Sequence, residues 1–418
     1  MKRAGFRVVA ILGVWFAAAA PAAAQDTASR YPELKAEDYA DAEKFRALED
    51  AVNEYFDTEL AERRAARLKE IEKSGYSFAV VEAVVRHGRR YEKVDARIVG
   101  NVTLPEKYDP ARAVPVLVGL NGLSDGYETE AVSRGFATMY PWKVKGWVDP
   151  RTTDRVVEQL WEACRRVNLD VDRVYATGVS VGGHATWVAG AMRTDAWAAL
   201  LPRSGSPGRI LVAMSEVYLQ NLHHLPVSAL VGADDEDIAK MAVKGQAVCK
   251  RFGLTTVLEV VENRGHEEFD DRAEQHLGWA SELRRARYPA KLDWWGGGDM
   301  GKRHYWVEAL EDTVTSKDLL IDTPTGDILR ALPIRPLHVQ AEVEGNLVVV
   351  HTKEVARLRI SLSPAMLDFD EETAVRIDGK VEWRGKPERS VKTLLESSLR
   401  RMDRSRTFAW EMEFPCGK

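Results

Sequence analysis

The segment of this chain with the clearest capacity for chemistry is Gly178-Val179-Ser180-Val181-Gly182. It stands between a β-type run, Val174 to Thr177, and a small-residue helical run, Gly182 to Met192. A serine at the tip of a sharp strand-to-helix turn sits in a strained backbone with its hydroxyl projecting, and flanking glycines keep side chains out of the crowded turn. The helix start also aims N–H groups and a positive dipole end at the place where an oxyanion would form. That chemistry is nucleophilic attack on a carbonyl carbon. A glycine-rich structural turn is the alternative reading, since the five letters alone are unremarkable in a chain of 418 residues.

A serine hydroxyl is a poor nucleophile until a base takes its proton. On a turn of this kind the partners follow in the order serine, acid, histidine, each past the end of a strand. Of the later histidines His266, His276, His304, His338 and His351, only His266 lies just past a strand-like run in the alternating part of the chain. It is the expected base. His276 looks like a residue on a helix surface, and the last three lie in or near a β-rich region. The acid is expected after the run Val227 to Val231, in Gly232-Ala233-Asp234-Asp235-Glu236-Asp237. Asp235 is the choice, with Asp234 and Asp237 as alternatives. The acidic cluster could equally be a solvated loop or a calcium site, although EF-hand spacing is absent.

An oxyanion needs two donors. Val181 N–H supplies one, and Leu123 N–H, after the run Val114 to Leu120 and the pair Asn121-Gly122, supplies the other, each worth about 3 kcal/mol in the transition state. His184, one helical turn past Ser180, either lines the site or packs as an ordinary helix residue. Trp142 and Trp147, ahead of the next helix, either wall a substrate pocket or pack as a lid. Trp294-Trp295-Gly296-Gly297-Gly298 suits either sugar stacking or a flexible junction.

These residues need a scaffold. Ala96–Leu104 reads as a strand, Asp154–Val167 as an amphipathic helix, Ile238–Arg251 as a helix and Thr255–Val261 as a strand. Strands alternating with helices imply a mostly parallel sheet covered on both faces. Ahead of it, Tyr31 to Lys73 has helical composition. Beyond Lys291 come short strands, Val339–Val343, Leu347–His351, Leu358–Leu362, Ala374–Ile377 and Val381–Trp383, with Asp378-Gly379 as a hairpin signal.

The stretches Leu104-Pro105-Glu106-Lys107-Tyr108-Asp109-Pro110, Val116 to Gly122, Asp172 to Gly183 and Gly265-His266-Glu267 together resemble the secreted esterase/peptidase branch of the α/β-hydrolases. That branch holds polyhydroxybutyrate depolymerase-like, feruloyl and acetylxylan esterase-like, and prolyl-oligopeptidase-like catalytic domains. The resemblance covers about residues 94–285. It implies an α/β-hydrolase fold with Ser180, Asp235 and His266 as a triad. Many relatives carry His-Gly where this chain has Asn121-Gly122; the backbone donor survives that change, while the bonds around the hole differ. The expected organisation is a signal peptide over 1–24, a helical segment over 25–92, a catalytic domain over 93–290 and a small β-rich domain over 291–418.

The signal is read from Lys2, Arg3 and Arg7, the apolar run Val8 to Ala20 and Ala22-Ala23-Ala24, with cleavage before Gln25 and a periplasmic or secreted destination. Its removal takes away three positive charges and no negative one, moving the formal charge from −5 to −8. An acidic protein with interspersed signs has no electrostatic reason to seek nucleic acid or an anionic membrane, and no later run is apolar enough to span one. Cys164, Cys249 and Cys416 do not make a disulfide framework, and buried small side chains are the favoured reading, with a Cys164–Cys249 bridge as the alternative. No zinc-type spacing or phosphate-cradling loop is present. The expectation is a cofactor-free serine hydrolase acting on a small-molecule or carbohydrate ester. The alternatives are a peptidase using the same triad and a non-catalytic binding protein on a hydrolase fold.

Overall fold

A computed structural model describes residues 41–417 apart from 90, 92–93, 95–97, 143, 145, 209, 211–214, 299–300 and 318–331. The signal segment and its cleavage site lie outside the described residues. No helix among them is long and apolar enough to cross a membrane.

Three helices come first, α1 (Ala42–Asp57), α2 (Ala61–Lys73) and α3 (Phe78–His87). Asp41 caps α1 by accepting from the Lys44 amide. Their apolar faces, including Val52, Tyr55, Val81 and Val84, form one buried cluster. Two members of that cluster, Leu394 and Leu395, come from α9 (Val391–Arg401), near the other end of the chain.

The expected strand over Ala96–Leu104 is instead a small hairpin, β1 (Ile98–Val99) and β2 (Val102–Thr103), paired antiparallel. The reason is local: Gly100-Asn101 reverses the chain in the middle of an otherwise β-prone run. The main sheet continues with β3 (Val114–Gly119), β4 (Ala137–Met139), β5 (Leu169–Val179), β6 (Ala199–Arg203), β7 (Val227–Gly232) and β8 (Thr256–Val261). Its order is β1-β2-β4-β3-β5-β6-β7-β8, and β4 through β8 run parallel. Helices α4 (Asp125–Ser133), α5 (Pro150–Arg166), α6 (Val181–Met192), α7 (Glu236–Arg251) and α8 (Ala273–Ser281) connect or flank the strands.

Both faces of the sheet are covered, as the near-continuous apolar strands require. Val116, Val118, Val174 and Ala176 pack on one side with Val156, Leu160 and Val188. Leu117, Tyr175, Ala199 and Leu201 pack on the other with Tyr127 and Leu277. The result is the expected α/β-hydrolase architecture. Helix α5 begins four residues ahead of the expected Asp154, because Asp149 accepts from the Arg151 amide and Pro150 occupies the first turn. Two strands of this sheet escaped the sequence reading. β4 is three residues long, and β6 carries Pro202 in mid-sheet, a residue that normally argues against a central strand.

The C-terminal part is β-rich. A five-stranded sheet has the order β18 (Lys380–Gly385), β17 (Thr373–Ile377), β15 (Leu347–Lys353), β14 (Leu337–Glu344), β9 (Lys291–Gly296). A four-stranded sheet has the order β10 (Arg303–His304), β11 (Val307–Asp312), β16 (Val355–Leu362), β19 (Trp410–Pro415), and β12 (Thr315–Lys317) pairs with β13 (Leu332–Arg335) as a two-stranded ribbon. Their inner faces share one apolar cluster that includes Trp294, Val339, Val350, Ile360 and Phe414. Asp378-Gly379 joins β17 to β18 as its turn chemistry predicts. Trp294 and Trp295 are neither a sugar platform nor a flexible junction: both lie in β9, Trp294 is 1% exposed, and Trp295 stacks on His338 at 3.9 Å. Strand pairing and core burial claimed these indoles.

A buried ionic cluster joins the two sheets' territories. The Arg285 guanidinium donates to Asp172 Oδ1 (3.0 Å), Asp403 Oδ1 (2.7 Å), Ser405 Oγ (2.7 Å) and the Asp195 carbonyl (3.1 Å). Burial pushes the Asp172 carboxyl up, but Arg285 and Arg287 outweigh it and hold the group well below the usual carboxylate range. All three cysteines are free; Cys164 and Cys249 are buried, and burial pushes the Cys164 thiol up to about 12.

Candidate active site

Ser180 follows the last residue of β5 and precedes the first of α6, with φ 57° and ψ −116°. A non-glycine residue there is strained and must be held by its surroundings. The Ser180 amide donates to the Arg203 carbonyl at 3.1 Å, and its own carbonyl accepts from the His184 amide at 3.0 Å. Gly182 explains the motif's second glycine, since a Cβ there would sit 2.1 Å from the Leu120 carbonyl oxygen. The turn after β3 is thereby pressed against the start of α6.

That turn carries two left-handed residues in succession, Asn121 (φ 59°) and Gly122 (φ 113°), which fold the chain back before Leu123. Neither the Leu123 amide nor the Val181 amide has a hydrogen-bond partner among the described residues. Two such amides, one at a helix N-terminus, are suited to an oxyanion. Asn121 is exposed beside them.

Asp235 stands immediately ahead of α7, after β7, and His266 lies in the loop after β8. The loops touch at Gly232, where a Cβ would lie 2.2 Å from the Arg264 carbonyl oxygen. The Asp234 amide donates to that same carbonyl at 2.9 Å. His266 Nδ1 then donates to Asp235 Oδ2 at 2.6 Å. With Nδ1 carrying its proton, Nε2 is left as the acceptor. Asp235 is 15% exposed and His266 47%, so the carboxylate is sheltered and the imidazole is open to a ligand. Asp234 and Asp237 are exposed, and neither carboxylate bonds a histidine among the described contacts. The acidic loop does not gather three metal-ligating side chains among the described residues.

Ser180 and His266 share the C-terminal edge of the parallel strands. No hydrogen bond joins the serine hydroxyl to the imidazole among the described contacts, and such bonds are often long before substrate binds.

The remaining expectations divide. His184 Nδ1 lies 2.8 Å from the Ser206 carbonyl oxygen and 3.1 Å from the Ser206 amide, so the half-buried ring is fastened to the chain beyond β6. Trp142 is 63% exposed, and its backbone is gripped by Gln159 through two bonds of 3.1 Å. Trp147 is half-buried against the core that holds α5. None of these described contacts ties either tryptophan to Ser180.

His276 is not on a helix surface. It is 4% exposed, accepts from Tyr127 Oη at Nδ1 (2.8 Å) and donates from Nε2 to the Ser228 carbonyl (2.8 Å). Burial lowers its pKa to about 3. Its place on the apolar side of α8, with Ala273, Leu277 and Ala280, was the available signal. The reading also missed Arg203 and Ser204, at the end of the unrecognised β6.

No family model matches the sequence. Over 108 residues, 22% of the chain, it is 30% identical to a bifunctional acetylxylan esterase/xylanase of Neocallimastix patriciarum, and the match spans only 16% of that protein. Among solved structures it is similar to a ferulic acid esterase (15% identity, TM-score 0.37, 43% of this chain and 91% of that one). It is also similar to the acetyl xylan esterase from Paenibacillus sp. R4 (14%, 0.34, 44% and 78%) and the Pyrococcus horikoshii acylaminoacyl peptidase (14%, 0.36, 45% and 40%).

Proposed function

We propose that this chain is an exported serine hydrolase that cleaves carboxylic esters through an acyl-enzyme, with Ser180 as nucleophile, His266 as base and Asp235 as its orienting acid. The observation that carries the reading is the 2.6 Å bond from His266 to Asp235 on the sheet edge that also presents the strained Ser180.

The steps follow from the groups present. Ser180 Oγ attacks the ester carbonyl while His266 Nε2 takes its proton, and Asp235 stabilises the imidazolium. The Leu123 and Val181 amides receive the developing oxyanion. His266 then protonates the departing alcohol, leaving an acyl-Ser180. Water, deprotonated by His266, attacks that ester, and the acid leaves as Ser180 regains its proton. No cofactor is needed for any of these steps. A carbohydrate ester is the favoured substrate class, supported by the 108-residue likeness to an acetylxylan esterase/xylanase and by the export-type N-terminus.

Hydrolysis of p-nitrophenyl esters of increasing acyl length, measured for the purified chain beside Ser180→Ala, tests the reading. Activity abolished in the variant supports it, and activity that persists reassigns the nucleophile. Inert wild type with cleavage of matched amides would make the protein a peptidase; inertness to both, with no fluorophosphonate labelling, would make it a binding protein.

A further inference from the structure

The two residues at the end of β6 are bonded to every segment that carries a proposed catalytic group. The Arg203 carbonyl accepts the Ser180 amide at 3.1 Å, which fixes the serine turn. The Ser204 amide donates to the Leu230 carbonyl of β7 at 2.9 Å, in the strand that delivers Asp235. The Ser204 hydroxyl donates to the Glu267 carbonyl (2.7 Å) and accepts from the Glu267 amide (3.1 Å), gripping the residue after His266 at both ends. Arg203 Nη1 donates to the Glu268 carbonyl (2.6 Å) and to Ser124 Oγ (2.8 Å), next to Leu123. The guanidinium is fully buried and lies 3.5 Å from the centre of the Tyr127 ring.

Ser204 is buried and left-handed, with φ 43°. A serine persists in that conformation only where its surroundings over-determine it, and such residues gather where geometry matters for function. Five of the nine described non-glycine residues with positive φ lie on this edge: Asn121, Ser180, Ser204, Asn263 and Phe269.

We propose that Ser204 and Arg203 are positioning residues that set the reach of His266 to Ser180. This rests on the triad reading above. The histidine loop has no regular structure of its own between β8 and the short turn at Asp270–Arg272, so its placement depends on such ties. Proton transfer tolerates little displacement: a shift of about 1 Å can cost about a hundredfold in rate. A merely structural role, holding β6 in the sheet, would lower stability without changing turnover per folded site.

The test uses the full chain, with an activated acetate ester as substrate and competent sites counted by exhaustive fluorophosphonate labelling. Ser204→Gly keeps the left-handed backbone without strain and deletes the hydroxymethyl group that bonds Glu267. Its kcat per labelled site is expected to fall about tenfold or more, with KM within about twofold of wild type. Arg203→Lys keeps the charge but loses the planar guanidinium, which lies on the Tyr127 ring and donates from Nε to Thr177 while holding Nη1 between Ser124 and Glu268, and a larger fall is expected. Should the lysine variant fail to fold, the glycine variant decides alone. Wild-type kcat per site in Ser204→Gly, or a change confined to KM, overturns the proposal. Ser180→Ala and His266→Ala run in the same assay separate the two levels. If they remain active, the triad reading fails and takes this proposal with it. If they are inert while Ser204→Gly is fully active, the positioning proposal alone fails.

Discussion

Asp235 and His266, 31 residues apart, meet at 2.6 Å because two loops cross in van der Waals contact at Gly232. The bond occupies Nδ1 and turns Nε2 outward from a carboxylate that is itself mostly covered. A glycine with no side chain, an aspartate ahead of a helix and a histidine beyond a strand thus produce one oriented imidazole.

Asp235→Asn preserves the shape of that contact but lets the imidazole settle in the opposite tautomer. We expect kcat for ester hydrolysis to fall about 10³- to 10⁴-fold with little change in melting temperature. Asp234→Asn and Asp237→Asn should stay close to wild type. Steady-state kinetics of the three variants checks this, and an equal loss in Asp234→Asn would move the acid.

Gly182→Ala places a methyl group 2.1 Å from the Leu120 carbonyl oxygen, so the turn bearing Leu123 must retreat. The expected result is a loss of about a hundredfold or more in kcat, the size seen when an oxyanion donor is displaced. Gly278→Ala, in α8, meets nothing closer than 3.6 Å and should raise stability by about 0.5–1 kcal/mol. Kinetics and urea midpoints of the pair distinguish crowding at the site from a general intolerance of alanine.

His276 and His304 are both buried, and burial lowers the pKa of each from 6.5 to about 3. Below pH 6.5 the unfolded chain takes up protons that the folded chain refuses, so stability declines as pH falls from about 6.5 toward 3, by up to about 1.4 kcal/mol per pH unit for each histidine. The buried carboxylates of Asp172 and Asp403, held low by Arg285, add their losses in a more acidic window. His276→Gln should be less stable at neutral pH but show a shallower slope of urea midpoint between about pH 6.5 and 4.5. An unchanged slope would mean that His276 is protonated in the folded state.

Arg285→Met leaves Asp172 and Asp403 buried without their shared partner. Breaking a buried pair on one side costs about 3–5 kcal/mol. Because those carboxylates come from β5 and from the segment ahead of β19, calorimetry of the wild-type protein should show the parallel sheet and the β-rich part melting together, and the variant should melt at lower temperature.

The placing of Ser180, Asp235 and His266 past strand ends was legible because the apolar run ahead of each is strong enough to see in sequence. Arg203 and Ser204 sit at such an end too, but Pro202 disguised the strand, and their bonds reach across four segments, which no local pattern records. His276 was misjudged because a polar letter outweighed its place on a buried helical stripe. Trp294 and Trp295 were misjudged because three following glycines suggested a joint where the chain in fact enters a sheet. The packing of α1–α3 on α9 was beyond sequence periodicity, which shows that a helix has an apolar face but not what covers it.

That last contact has a temporal meaning. Arg86 of α3 bonds Thr407 across 321 residues, and Thr407 Oγ1 in turn donates to Glu82. Leu394 and Leu395 complete the same cluster from the far end. A chain delivered N-terminus first, from a ribosome or through a pore, therefore emits its first helices long before their partners exist. The closing of so long a loop comes late and slowly. Until that final stretch emerges, α1–α3 lack Leu394 and Leu395, and their shared apolar cluster stays incomplete.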